Sequence, residues 1–216
     1  MIITLDAFEL RECERFAKLS AFTQQGIEFG QHDTADRGIA ETARDTMIGK
    51  VAEVAVAKLL KRKGLHCPVD FDIYERGEWD DSDIKIFKWD IDIKSTVNGR
   101  WLMIERKKLL MRQNQQFNLL PDALISCNTE WSGSKPTGNV KVNGIISLQT
   151  FIDRSTKIRK GEFIPGTGTR MQADNYGIRS DSLSNNWDSI LEMLYRKQPI
   201  PKDKIVLKWG LGSEID

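Results

Sequence analysis

From Trp89 the chain alternates strictly: Trp89, Ile91 and Ile93 fall on one face, Asp90, Asp92 and Lys94 on the other. Side chains repeat every two residues in a strand, so this segment predicts a β-strand with one apolar and one charged face. A short strand is expected just before it, over about 83–87, with a tight reversal around Lys88. A different period governs 42–63, where Ile48, Val51, Ala52, Ala55, Val56, Leu59 and Leu60 make an apolar stripe. That spacing predicts a long helix, closed by Lys61-Arg62-Lys63 and the stop residue Gly64. A first amphipathic helix is expected over 6–24, carried by Phe8, Phe16, Leu19 and Phe22.

The rest of the chain is read more coarsely. Residues 26–38 are polar and expected to be loop. Residues 67–74 suggest a strand or extended link, and short strands are expected at 101–104, 123–126, 144–148 and 205–209. A helix is expected over 183–195, packed through Trp187, Ile190, Leu191 and Leu194. Helices, then several strands and a mixed tail together predict an α+β (or α/β) fold with a mixed sheet flanked by helices. The 216 residues suit one domain, with a catalytic core over about 42–150 and a recognition or dimerisation part over about 151–216.

Composition adds limits. With 40% hydrophobic and 29% charged residues the chain is that of an ordinary soluble protein. No apolar run approaches the roughly 20 residues that span a bilayer, and the N-terminus lacks a signal-peptide pattern. Cys13, Cys67 and Cys127 have no metal-site spacing, and a reducing, cytoplasmic setting is expected.

The net charge of +1 conceals an uneven distribution. Acidic residues crowd 70–83. Basic residues follow over 94–112, and again at Arg154, Lys157, Arg159 and Lys160. An acidic pocket beside basic patches fits a protein that holds a cation and grips phosphates. Solvated surface is the alternative for either basic run. The Gly166-Thr167-Gly168 segment lacks the Gly-Lys-Ser/Thr of a phosphate-binding loop.

The chemistry centres on the hairpin. Asp92 and Lys94 share a strand face about 7 Å apart, with Asp83 at the opening of the preceding strand. Carboxylates can hold Mg²⁺, which takes hard oxygen ligands and keeps several waters. A lysine beside them can orient a water or stabilise developing charge. Glu53 enters from the helix. A strand ion pair between Asp92 and Lys94 is the duller reading, as is a helix pair of Glu53 with Lys50 or Lys58. Asp90 shares the face of Asp92 and is its rival as a ligand.

The order Gly49-Lys50-Val51-Ala52-Glu53, Ser82-Asp83-Ile84 and Asp92-Ile93-Lys94-Ser95-Thr96 resembles the PD-(D/E)XK nuclease superfamily. Ser82 stands where the name-giving proline would be. The resemblance spans about 42–127 and implies a restriction-endonuclease-like core: a central mixed sheet flanked by helices. It implies catalytic roles for Glu53, Asp83, Asp92 and Lys94. It further implies metal ligation by Asp83, Asp92, Glu53 and the Ile93 carbonyl, with Mg²⁺ as cofactor and Mn²⁺ able to substitute.

The expected function is a Mg²⁺-dependent endonuclease acting on double-stranded DNA, for example in restriction or defence. Arg100, Lys107, Lys108, Arg112 and Gln115 are candidate nucleic-acid contacts. A homodimer is expected if both strands of a duplex are cut. The alternatives are a non-catalytic nucleic-acid-binding or assembly module of the same fold, and an RNA-cleaving or CRISPR-linked effector nuclease.

Overall fold

The computed structural model describes residues 1–23, 38–74, 82–97, 99–115 and 120–207, with side chains at 111–115 left aside. The fold is mixed α+β. A five-stranded sheet is built from β1 (Ile2–Thr4), β2 (Ile84–Ile86), β3 (Trp89–Thr96), β5 (Ala123–Ser132) and β6 (Lys135–Ser147), in the order β1-β6-β5-β3-β2. A second sheet joins β4 (Trp101–Glu105), β8 (Asn175–Arg179) and β7 (Thr156–Ile158), in the order β4-β8-β7. Among the described strands only β3 and β5 run parallel; every other neighbouring pair is antiparallel.

Local chemistry sets the helix boundaries. At the start of α1 (Ala7–Thr23), Asp6 Oδ1 accepts from the amides of Phe8 and Glu9, while Glu9 Oε2 accepts from the Asp6 amide. This reciprocal capping box satisfies donors that the first turn leaves over. The long helix α2 (Ile39–Arg62) ends where Gly64 adopts φ +82°. The Gly64 amide bonds the Lys61 carbonyl and the Leu65 amide bonds the Leu60 carbonyl, a Schellman closure that favours glycine.

Two apolar clusters flank the main sheet. Ile91, Ile93, Ile125 and Val142 face α1, α2 and α5 (Trp187–Arg196) on one side. Leu124 joins the second sheet, α3 (Arg106–Gln115) and α4 (Leu148–Arg154) on the other, with Phe151 and Tyr176 fully buried between them. The alternation of β3 places Trp89, Ile91 and Ile93 in the first cluster. Asp92 and Lys94 therefore project from the opposite face.

The two long helices, the β2–β3 hairpin and the strands beginning at 101 and 123 follow the sequence pattern. Other elements depart from it. The extended segment 67–74 joins no ladder. The expected strand over 144–148 is the end of a 13-residue strand, and Leu148 already begins a helix because Ser147 caps it.

The helix expected from 183 begins at Trp187. Ser184 is bridged to Ile145, and Asn186 accepts from the Ser189 amide as the cap. No strand forms at 205–207; a short 3₁₀ turn, Lys202–Lys204, precedes them, and 208–216 lie outside the described residues. The expected loop over 26–38 lies almost wholly outside them too. Residues 151–207 do not separate from the core: Trp187, Ile190 and Leu194 of α5 pack in the same cluster as α2.

Candidate active site

The β2–β3 register pairs Ile84 with Ile91, and continuing it by one residue places Asp83 opposite Asp92. Asp83 Oδ2 accepts from the Ile93 amide at 2.5 Å, which fixes its carboxyl at the mouth of the hairpin. Burial drives the Asp83 pKa well above the usual carboxylate range; the charges of Asp92 and Glu53 add to this, and Lys94 opposes it. The contact with the Asp92 carboxyl acts in the same direction, favouring the protonated form of Asp83. Like charges at this separation resist joint ionisation.

Lys94 is the local counter-charge. Its Nζ stands 2.6 Å from Asp92 Oδ1, with the lysine 38% exposed and the aspartate 10%. The lysine thus bridges a buried carboxylate and solvent. Next to Lys94 in the parallel ladder is Ser126, whose hydroxyl meets Ser180 and accepts from Asn143 Nδ2. Asn143 also donates to Asn128, and Asn128 donates to the Gly99 carbonyl at 2.5 Å. This polar chain carries the sheet face from Lys94 to the 99–100 turn. Ser126 and Asn143 are not among the residues the sequence singles out; their one signal is a polar residue inside an apolar strand.

Glu53 stands on α2. Its Oε2 lies 2.5 Å from Lys50 Nζ, and both side chains are largely buried at 13% and 9% exposure. Lys50 also donates to the Asp70 carbonyl and lies 4.3 Å from the Phe16 ring centre and 5.6 Å from that of Phe71. Glu53 is close enough to raise the Asp83 pKa. Its direct partner is a lysine that the chain also uses to tie α2 to α1 and to the 67–74 segment.

Asp90 is engaged elsewhere. Its carboxylate meets Lys202 at 2.8 Å and Lys85 at 3.2 Å. Burial works against its charged form, but hydrogen bonds from these lysines prevail and hold its pKa below the ordinary value. The structure thereby separates Asp90 from Asp92, which alone of the two faces Asp83.

The basic candidates divide into two groups. Arg100 is exposed at the Lys94 end of the second sheet, where its carbonyl accepts from the Ser180 amide. Lys107 and Lys108 are exposed at the far end of β4, on α3. Arg112 and Gln115 belong to α3, but their side chains lie outside the described residues. A cleft of about 640 Å³ lined by Trp89, Leu183, Ser184, Ile190 and Lys197 contains none of the candidates.

A Mg²⁺ ion needs only one or two carboxylates, with water completing its shell. Asp83 and Asp92, a carboxylate pair at the mouth of the β2–β3 hairpin, meet that requirement. Among the described residues no group of three or more His, Cys, Asp or Glu side chains is arranged to hold a metal ion. The arrangement thus offers a two-carboxylate site with Lys94 at its edge, and Glu53, ion-paired with Lys50, near enough to act on Asp83. No helix of the described residues is long and apolar enough to cross a membrane. Comparisons with protein families, with curated proteins and with solved structures find no match to this chain.

Proposed function

We propose that this protein is a metal-dependent phosphodiesterase, a Mg²⁺-dependent endonuclease acting on double-stranded DNA. The observation that carries the reading is the Asp83–Asp92 pair at the mouth of the β2–β3 hairpin, with Lys94 at 2.6 Å from Asp92. Its order along the chain is that of the PD-(D/E)XK resemblance. Asp83 and Asp92 are the residues that would hold Mg²⁺ (or Mn²⁺), with the Ile93 carbonyl as a further ligand. When bound, the ion neutralises phosphate charge and lowers the pKa of a water.

The chain's own residues do the rest. The Ile93 amide and the Asp92 contact hold Asp83 in place. Lys94, partly exposed, approaches a phosphate oxygen or the attacking water from the solvent side and offsets developing negative charge. Arg100 supplies a further cation at the same end of the sheet. Glu53 acts through its charge on Asp83 and through the Lys50 pair. A two-fold homodimer would address both strands of a duplex.

A second reading, a non-catalytic nucleic-acid-binding or assembly module, draws on a specific observation. Glu53 is paired with Lys50, and three metal-holding side chains are not gathered among the described residues. The deciding test is incubation with supercoiled plasmid, linear duplex and single-stranded RNA, each in Mg²⁺ and in Mn²⁺. Nicking or linearisation that ceases in chelator supports the nuclease. Intact substrates in both metals favour the binding module, and cleavage of RNA alone would replace DNA as the substrate.

A further inference from the structure

The two basic runs of the sequence, separated by about forty residues, meet in the fold. The amide of Arg106, the first residue of α3, bonds the Asp174 carbonyl, and the amide of Lys160 bonds the Asp174 carboxylate at 2.8 Å. The start of the basic helix and the root of the 159–174 connection therefore share one anchor. From Arg154 to Arg170 the chain carries five basic residues and one acidic, and all five basic side chains are exposed. The acid, Glu162, accepts from the Arg159 amide.

This connection is a narrow two-stranded ribbon. The Gly161 amide bonds the Met171 carbonyl, the Met171 amide bonds the Glu162 carbonyl, and the Ile164 amide bonds the Thr169 carbonyl. Its tip is Pro165-Gly166-Thr167-Gly168, with φ +73° at Gly166. Phe163 and Arg170 face each other across the ribbon in a β-bridge, the guanidinium 4.8 Å from the ring centre. Phe163 is 55% exposed, so this ring is presented to solvent instead of closing a core.

We infer that residues 159–171 form a ribbon arm that enters the major groove of duplex DNA. Lys157, Arg159 and Lys160 at its root, together with Lys107 and Lys108, contact the flanking phosphates. A two-stranded ribbon fits the roughly 12 Å major groove of B-form DNA, whereas the deep, narrow major groove of A-form RNA excludes side chains. Cations at the root position the duplex, and the Phe163–Arg170 pair meets base edges. The β8 strand separates this root from the Arg100–Ser180 end by about 17 Å, so arm and carboxylates engage different stretches of one duplex.

The inference rests on the proposed nuclease reading for its substrate, but its test does not require cleavage. Binding of the full chain to a labelled duplex is followed by fluorescence anisotropy in EDTA, across a salt series. Replacing Lys157, Arg159 and Lys160 by Ala should weaken binding on the order of 10- to 100-fold. It should also lower the salt slope by about 2 to 3, near 0.9 for each phosphate no longer neutralised. The matched triple Arg15→Ala, Lys18→Ala and Arg62→Ala should leave both unchanged, and thermal melts confirm that each variant folds.

Wild type should prefer DNA over RNA duplex of the same sequence, and Phe163→Ala with Arg170→Ala should erase that preference. Arm variants that bind with wild-type affinity and slope overturn the arm, even if the protein cuts DNA. A DNA preference that is absent, or that survives the Phe163 and Arg170 changes, overturns the groove assignment. Arm-dependent binding by a protein that never cuts would instead count against the nuclease reading and leave the arm standing.

Discussion

Asp83 and Asp92 face each other at the mouth of the β2–β3 hairpin, where the Ile93 amide donates to Asp83 Oδ2 and the Asp92 charge helps to raise the Asp83 pKa. Two carboxylates so placed repel when both are ionised, and a divalent cation relieves that repulsion. Calorimetric titration with Mg²⁺ or Mn²⁺ should therefore show binding to the wild-type protein that Asp83→Asn or Asp92→Asn removes. In metal-free buffer Asp83→Asn should melt above wild type, because it removes a charge that burial, Asp92 and Glu53 all disfavour. Undiminished cation binding in both variants would displace the site from this pair.

The Lys50–Glu53 pair makes the opposite prediction. Both side chains are nearly enclosed, so Lys50→Met takes a close counter-charge from a carboxylate in a poorly solvated place. Breaking such a pair costs about 3–5 kcal/mol, well above the effect of a surface ion pair. Chemical denaturation should register the loss as a lower midpoint. An unchanged midpoint would mean that Glu53 finds solvent or another partner without cost.

A second buried acid supplies a pH test away from the carboxylate pair. Asp122 accepts from the Asp90 amide through Oδ2, while its Oδ1 is buried with no hydrogen-bond partner. Burial lifts its pKa, against the pull of that amide and of Lys202. The folded state therefore keeps a proton that the unfolded chain releases near pH ~3.9. This group's contribution to stability falls as pH rises from that value through its raised pKa. Asp122→Asn should gain on wild type across that window and hold a constant difference above it. A difference independent of pH would exclude Asp122 as the source.

The Gly144 backbone explains how the C-terminal segment is held to the sheet. A Cβ at this position would lie 2.4 Å from the Ser184 carbonyl oxygen, the same oxygen that accepts from the Ile145 amide. Gly144→Ala must push the Ser184 segment away, at a cost of about 1–3 kcal/mol. Weakening this junction should also loosen α5, seen as faster amide exchange at Ile190 and Leu194. Wild-type exchange there would show that the junction is dispensable.

These elements show which features are local and which are not. The strict alternation of 89–94 determines which residues share the Asp92 face, because a period of two leaves no freedom once one side is apolar. The glycine stop of α2 is equally local. Strand 101–105 is visible in the sequence as a strand, but its partner is not: its ladder to Asn175–Arg179 is set by tertiary packing across some seventy residues. Ser126 and Asn143 acquire meaning only through the β3–β5 and β5–β6 registers. Glu53 is legible as a helix acid beside small residues, yet its choice of Lys50 depends on the enclosure made by Phe16 and Phe71.

The most direct measurement is the single-turnover cleavage rate of a duplex in Mg²⁺ by wild type, Asp92→Ala and Lys94→Ala, alongside anisotropy binding in EDTA. The account predicts that all three bind the duplex and that only wild type cuts efficiently. The lysine variant should be slower by roughly 10²–10³-fold or more, the usual effect of removing one charge-stabilising group. Cleavage by both variants at the wild-type rate would contradict the assignment of Asp92 and Lys94 to the chemistry.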